Sequence, residues 1–380
     1  MKIRVAFVNG IWQLCMAAAS LRQEREKGAN GHFQDFLVVY NRPSGSFSNQ
    51  ALTQFVTEVA SQVWDWQAIA QLPWQPRKWS PDLMRNKLLS VQVLLNLFNL
   101  SSPARVDEVW LCKLQFLDER LFADIFNQAE IVMYEDGLHT YAPTNYLINL
   151  PEVHISQPYE TLAAYKKFLR NWVQGNFNWS NNGVKRSHLR RIKNFYSVLG
   201  TSLSIAQPFS QVSTELLDNS LLQQFFKELG NTLDLKVGDR WGNAKLALFL
   251  GSNLSHMQSF PRDLEVEAFV EAIVSAQQQG YTILWKEHPR CQEPLFDKIK
   301  DKLTLSNKLY LLNEQSVPTE VFVSQLPIEL CYSTLSSSLF YLKSIYGIET
   351  VTCVRPLLKF LQGDFRYLAD LTLQHIPPSI

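Results

Sequence analysis

Residues 3–8 (IRVAFV) are an uninterrupted apolar and β-branched run, except for Arg4, and stop at Asn9-Gly10. That pattern predicts a buried strand followed by a turn. Trp12 to Glu26 carries alanines at good helical positions and predicts a helix. FLVVY at 36–40 predicts a second strand, broken by Asn41-Arg42-Pro43-Ser44-Gly45, and a helix follows from about Ala51 to Val63. Val109-Trp110-Leu111 reads as a third strand and Ala129–Tyr134 as a fourth. About 151–205 reads as helical, polar and basic. A second alternation opens with KLALFL at 245–250, ending in Gly251-Ser252-Asn253. A helix over about 263–279, a strand at Tyr281–Trp285 and short strands at 309–312 and 328–331 continue it. Strand–helix alternation implies parallel sheets with helices on both faces. The expected class is α/β, two doubly wound Rossmann-like domains facing across a cleft. Residues 1–205 form the first, including the basic region, and 206–380 the second, whose last helices are candidates to cross back to the first.

The 380 residues fit two or three domains. With 46% hydrophobic and 19% charged residues the chain can bury a large core, which excludes disorder as its main state. Thirty-six Lys and Arg against thirty-five Asp and Glu give a net charge of +1, which excludes a globally basic nucleic-acid binder. Cys15, Cys112, Cys291, Cys331 and Cys353 are scattered and form no C-x-x-C pair, so neither a disulfide framework nor a cysteine zinc site is expected, in keeping with a reducing cytoplasm. The start, MKIRVAFVNG, is too short in its apolar run to predict a signal peptide. No apolar run reaches the ~18 residues of a membrane span. Leu88–Leu100, interrupted by Gln92, Asn96 and Asn99, reads as a buried amphipathic helix.

Ligands of doubly wound sheets sit beyond the carboxyl ends of the strands, which selects a few polar stretches. The chain lacks G-x-G-x-x-G, Walker A, H-E-x-x-H, G-x-S-x-G and D-x-D sequences. Dinucleotide oxidoreductases, P-loop enzymes, zinc proteases, serine hydrolases and D-x-D sugar transferases all lose ground. Tyr134-Glu135-Asp136-Gly137 runs a strand into two adjacent carboxylates, whose repulsion suits one of them to general-base work. The same residues also read as a solvated turn with Asp136 capping a helix. Lys286-Glu287-His288-Pro289-Arg290 places a histidine between cations at a strand end, as a phosphate site or as a plain surface turn. Ser333-Thr334-Leu335-Ser336-Ser337-Ser338 precedes a helix, where free N–H groups and hydroxyls suit a phosphate, although one serine suffices for N-capping. Glu320 stands ahead of a short helix, as a ribose ligand or as a first-turn acid.

E-D-G, then H-P, then a serine pair, in that order, resembles bacterial sialyltransferases of the GT-B type. The resemblance is to the polysialyltransferase and lipooligosaccharide sialyltransferase families, with their D/E-D-G, H-P and S-S/T motifs. Glu135-Asp136-Gly137, His288-Pro289 and Ser337-Ser338 match these residue by residue, with Ser333-Thr334 as the other choice for the last. About ten residues carry the likeness. It implies a GT-B-like fold, a CMP-sialic acid donor and an inverting transfer to a glycan, such as a sialylated or capsular one. Glu135 would take the acceptor proton and Asp136 would orient the loop or the acceptor. His288 would neutralise or protonate the departing phosphate, with Gly137, Pro289, Glu320, Ser337, Ser338, Gly251 and Ser252 around the donor. No metal cofactor is implied. CMP-Kdo or a UDP-sugar as donor, or a non-catalytic glycan- or nucleotide-binding protein, are the alternatives. Between Leu162 and Ser213 there is no acidic residue. Lys185, Arg186, Arg190 and Arg191 there are candidates for an anionic acceptor or a peripheral membrane contact, or form a solvated face. The expected location is cytoplasmic, with the inner membrane as the surface a peripheral contact would use, and no nucleic-acid partner is expected.

Overall fold

The computed structural model describes residues 2–28, 33–40, 49–72, 94–96, 98–112, 114, 117–141, 186–200, 202–205, 209–235, 241–288, 291, 293–303, 308–313 and 316–379. The chain divides into two compact units. The first takes the described residues up to Asp136 and again from Arg186 to Leu217. The second takes Gly137–Tyr141 and everything from Asp218 on.

The first unit holds one sheet of seven strands. They are β1 (Lys2–Val8), β2 (Phe33–Tyr40), β3 (Ala68–Leu72), β4 (Glu108–Leu111), β5 (Glu130–Tyr134), β6 (Ile192–Ser197) and β7 (Thr214–Leu216). Their order is β3-β2-β1-β4-β5-β6-β7, and every pairing is parallel. Helices α1 (Ile11–Glu26), α2 (Asn49–Val63), α3 (Leu117–Ile125) and α4 (Arg186–Arg191) belong to this unit. Parallel strands covered on both faces need apolar residues throughout. Accordingly Val5, Phe7 and Val8 of β1 are fully buried, and Phe7 stacks on Phe122 of α3 at 3.9 Å. Arg4 is the charged exception on β1. It forks onto Asp35 at 2.6 and 3.0 Å, reaches Glu24 at 2.8 Å and lies 3.9 Å over the Phe33 ring. A buried cation is tolerated only with such pairing.

The second unit carries β8 (Leu246–Leu250), β9 (Thr282–Lys286), β10 (Leu309–Leu312), β11 (Ile328–Ser333) and β12 (Glu349–Thr352) in the order β10-β9-β8-β11-β12, again all parallel. Its helices are α5 (Asn219–Thr232), α6 (Leu254–Gln258), α7 (Arg262–Gln278), α8 (Phe296–Lys302), α9 (Thr319–Val323), α10 (Ser337–Tyr341) and α11 (Gly363–His375). The core packs Phe269 of α7 edge-on against Trp285 at 4.9 Å and stacks Phe249 on Tyr332 at 4.5 Å. All five cysteines are buried, and none is in a disulfide.

The strands and helices expected from the apolar pattern are present, most of them within one to three residues of their expected ends. The helical reading of 151–205 needs correction at its end. Residues Ile192–Ser197 are strand β6, with Asn194, Phe195, Tyr196 and Ser197 buried. Strand pairing with β5 on one side and β7 on the other outweighs the basic composition that had suggested helix. Asn41–Gly45 and most of Leu88–Leu100 lie outside the described residues.

Candidate functional site

In the first unit the sheet reverses its winding between β1 and β4, so the carboxyl ends of β1, β4 and their neighbours mark the ligand edge. Tyr134, at the end of β5, donates its hydroxyl to Phe7 O at 2.6 Å and so locks the end of β5 to the end of β1. Glu135 follows directly and is fully buried. Its N–H donates to Tyr196 O at 3.0 Å. Its Oε2 accepts three hydrogen bonds from the segment that leaves β6: the Ser197 hydroxyl at 3.0 Å, the Val198 N–H at 2.7 Å and the Leu199 N–H at 3.3 Å. The carboxylate is thus fixed in one orientation by two backbone amides and one hydroxyl. Asp136 is half-buried, and its Oδ1 accepts from Gln13 Nε2 at 2.9 Å.

Gly137 groups with the second unit. Its φ of +80° and ψ of −169° belong to a region that only glycine occupies without strain. A Cβ added there would lie 3.3 Å from Ser337 Oγ.

In the second unit the winding reverses between β8 and β11. Gly251-Ser252 follows β8, and both residues are used internally. A Cβ on Gly251 would lie 2.9 Å from Glu287 Oε2 and 3.1 Å from Trp285, so glycine is needed for packing. The Ser252 hydroxyl donates to the buried Glu265 and accepts from Thr334 Oγ1 at 2.7 Å. Glu265 also takes the amides of Leu254 and Ser255 at the start of α6, at 3.4 and 3.2 Å. The Gly251 backbone and the Ser252 hydroxyl, both expected near the donor, thus also hold the loop after β8 together.

Ser333 and Thr334 are likewise committed. Ser333 Oγ donates to Leu250 O at 3.0 Å, and both side chains are fully buried. Ser336 is the N-cap of α10, its Oγ accepting the Ser338 N–H at 3.2 Å. Ser337 and Ser338 are half-buried at the helix start. The Ser338 hydroxyl also bonds Glu320, a carboxylate 2% exposed whose Oε1 has no hydrogen-bond partner. Burial pushes the Glu320 carboxyl up from its ordinary 4.5, while Ser338 and Lys286 pull it back. Lys286 is itself buried at the end of β9, its Nζ 5.8 Å from the Phe322 ring centre. Two residues on, His288 is half-buried. Between them Glu287 is buried, accepts the Phe296 N–H at 2.7 Å and is raised by desolvation. Pro289 lies outside the described residues. Among those residues, no group of three or more His, Cys, Asp or Glu is placed to hold a metal ion.

The basic segment divides. Lys185 lies outside the described residues, as do Lys166, Lys167, Arg170, Trp172, Phe177 and Trp179, and only the backbone of Arg186 is described. Arg190 is exposed. Arg191 donates to Ala123 O at 2.8 Å and Phe126 O at 2.9 Å, and His188 Nε2 meets Asp124 at 2.7 Å. Arg191, expected among the acceptor contacts, here serves the end of α3, where orphan carbonyls need a donor and a cation suits a helix C-terminus. Lys286 was noted only as a cation beside His288, and Gln13 was not singled out. The only signal for Gln13 was its place one turn after the strand end at Asn9-Gly10.

Two doubly wound parallel sheets define an α/β protein of the GT-B class. A solved UDP-GlcNAc 2-epimerase from Neisseria meningitidis, bound to UDP-GlcNAc, shares this architecture at a TM-score of 0.51 and 13% identity, over 98% of this chain and 91% of that one. The GT-B domain of a sialyltransferase from Photobacterium damselae matches at a TM-score of 0.48 and 13% identity, over 100% of this chain and 98% of that one. No curated protein matches the sequence. The family model for alpha-2,8-polysialyltransferases matches residues 4–355, and the chain belongs to that family. It is a sialyltransferase-like glycosyltransferase. No helix among the described residues is long and apolar enough to cross a membrane.

Proposed function

We propose that this enzyme transfers sialic acid from CMP-sialic acid to a glycan acceptor with inversion at the transferred carbon. One observation carries the reading: a polysialyltransferase family match that spans E-D-G, H-P and the serine pair. The described members of those motifs begin beyond the carboxyl ends of β5, β9 and β11. The acceptor hydroxyl gives its proton to the Glu135 carboxylate as its oxygen bonds to the sugar. The bond from that carbon to the CMP oxygen breaks, and CMP leaves as a phosphate monoester. The three donors on Glu135 Oε2 suit it to this role by removing its freedom to reorient. Asp136 orients the acceptor. His288, Ser337 and Ser338 meet the phosphate, and the unpartnered Oε1 of Glu320 suits a ribose hydroxyl. A monophosphate leaving group carries less charge than a diphosphate, so a histidine and hydroxyls serve it without a metal. Arg190 remains a candidate contact for an anionic acceptor or a membrane surface, at a cytoplasmic site of action.

The test is CMP release from CMP-sialic acid with a sialylated acceptor, run beside CMP-Kdo and UDP-sugars, with and without EDTA. Acceptor-dependent CMP release that survives EDTA is expected. Turnover of CMP-Kdo or a UDP-sugar in its place would move the donor assignment. Nucleotide binding without turnover of any donor would make the chain a binder.

A further inference from the structure

We propose that Gln13 is a positioning residue that sets the orientation of the Asp136 carboxylate toward the acceptor. The inference rests on the reading of Glu135-Asp136 as the acceptor-side acids. Gln13 lies in the first turn of α1 and is 5% exposed. Its amide is used at both ends. Oε1 accepts the Asn9 N–H at 2.8 Å, and Nε2 donates to Asp136 Oδ1 at 2.9 Å. Taking the backbone N–H on the oxygen fixes the amide's orientation, so its N–H group must face the carboxylate.

The support continues beyond Asn9. The Asn9 side-chain amide donates to the Tyr40 hydroxyl at 3.2 Å, and that hydroxyl donates to Glu119 Oε1 at 2.9 Å. Glu119 is fully buried and also accepts from Cys112 Sγ at 3.1 Å. A chain of hydrogen bonds therefore runs from the buried Glu119 side chain, along the ends of β2 and β1, to the acid that follows β5. Glu135 is held by the Ser197 hydroxyl and the amides that follow β6, while Asp136 takes a hydrogen bond from Gln13 on α1, so the two acids are oriented from different elements. A group held within a fraction of an ångström by a partner that is itself locked is what a reacting centre needs.

The test separates positioning from simple packing. Gln13→Glu keeps an oxygen for the Asn9 N–H and places a second carboxylate against Asp136. With two carboxylates buried against each other it is expected to melt below the wild type, to leave KM for CMP-sialic acid unchanged and to lower kcat/KM for the acceptor by about 10–100-fold, the value of one charge-assisted hydrogen bond. Gln13→Met removes both contacts at similar volume and is expected to show the same loss. In an Asp136→Asn background, Gln13→Met should add little, because its target is already gone. Wild-type acceptor kinetics in both Gln13 variants, with Asp136→Asn impaired, overturns the inference alone. So do losses that multiply in the double variant. An Asp136→Asn enzyme with unchanged kinetics overturns the reading of the acid pair together with it.

Discussion

Replacing Glu135 separates its two burdens, because glutamine and alanine remove different things. Glutamine keeps a carbonyl oxygen where Oε2 accepts from Ser197, Val198 and Leu199. Only the charge assistance is lost, about 1 kcal/mol for each well-formed bond. With one of the three at 3.3 Å, the total is about 2 kcal/mol. Alanine removes the acceptor. The Ser197 hydroxyl can rotate to another partner, but the Val198 and Leu199 amides are fixed by the chain. Each unmet buried donor costs about 1–3 kcal/mol, or about 2–6 kcal/mol together. For a unit of this size that lowers the melting temperature by at least about 4 °C. Glu135→Gln should therefore fold, bind CMP and lose about 10²–10⁴-fold in kcat, the range of a missing general base. Glu135→Ala should be inactive and markedly less stable. Melting followed by circular dichroism, CMP titration and single-turnover transfer give the three readouts. Near-normal turnover in Glu135→Gln refutes the base role and moves it to Asp136 or elsewhere. An unchanged melting temperature in Glu135→Ala refutes the claim that the carboxylate is what satisfies those amides.

Gly137→Ala is expected to cost about 1–3 kcal/mol from its backbone conformation alone, seen as a lower melting temperature, and a variant as stable as the wild type would show that the loop relaxes. Glu320 has its folded pKa raised by burial, so its contribution to stability is fully present below about 4.5 and is lost as pH rises through the folded value. Glu320→Gln should therefore lose less stability than the wild type between pH 5 and pH 8, and identical pH slopes would sink the argument. Arg191→Ala should lower stability by about 1–3 kcal/mol through the unmet Ala123 and Phe126 carbonyls while leaving acceptor KM alone. Arg190→Glu should raise acceptor KM in a salt-dependent way, and the reverse pattern would return Arg191 to the acceptor.

What was legible in the sequence was the apolar code of central strands. IRVAFV, FLVVY and the LALFL of β8 are buried on both faces, and such runs announce themselves. β6 and β7 were missed because their sequences, Ile192–Ser197 and Thr214–Leu216, are mixed or exposed and become strands by pairing outward from β5. β3 carries an exposed Gln71 at the opposite edge and was missed for the same reason. Motifs could be found at strand ends, yet the burden of each side chain could not. Ser333 and Ser337 read alike in the chain, but one is tied to Leu250 O and the other is half-buried at a helix start. Arg190 and Arg191 are adjacent, but only the second points to the end of α3. Such assignments depend on partners about 60 to 100 residues away, which local pattern does not encode.

The two sheets share the strand order that places a ligand edge at the reversal of winding, but the second unit does not leave the usual anion position there open. In many nucleotide-binding folds a helix following the first strand offers its free amides to a diphosphate. Here that helix is α6, and the amides of Leu254 and Ser255 are taken by the chain's own buried Glu265, which also holds Ser252. A diphosphate at this position would meet a fixed carboxylate in place of free donors. Among the described residues, the half-buried hydroxyls at the start of α10, one strand over, and His288 two residues after β9 are candidate groups for an anion. Hydroxyls and a histidine suit a single phosphate, in keeping with the reading of a CMP-sugar. Glu265→Gln provides the check. If the buried carboxylate is what turns diphosphates away, the variant should gain affinity for UDP while its affinity for CMP is unchanged, whereas equal UDP affinity in both proteins would leave Glu265 a structural cap with no part in donor choice.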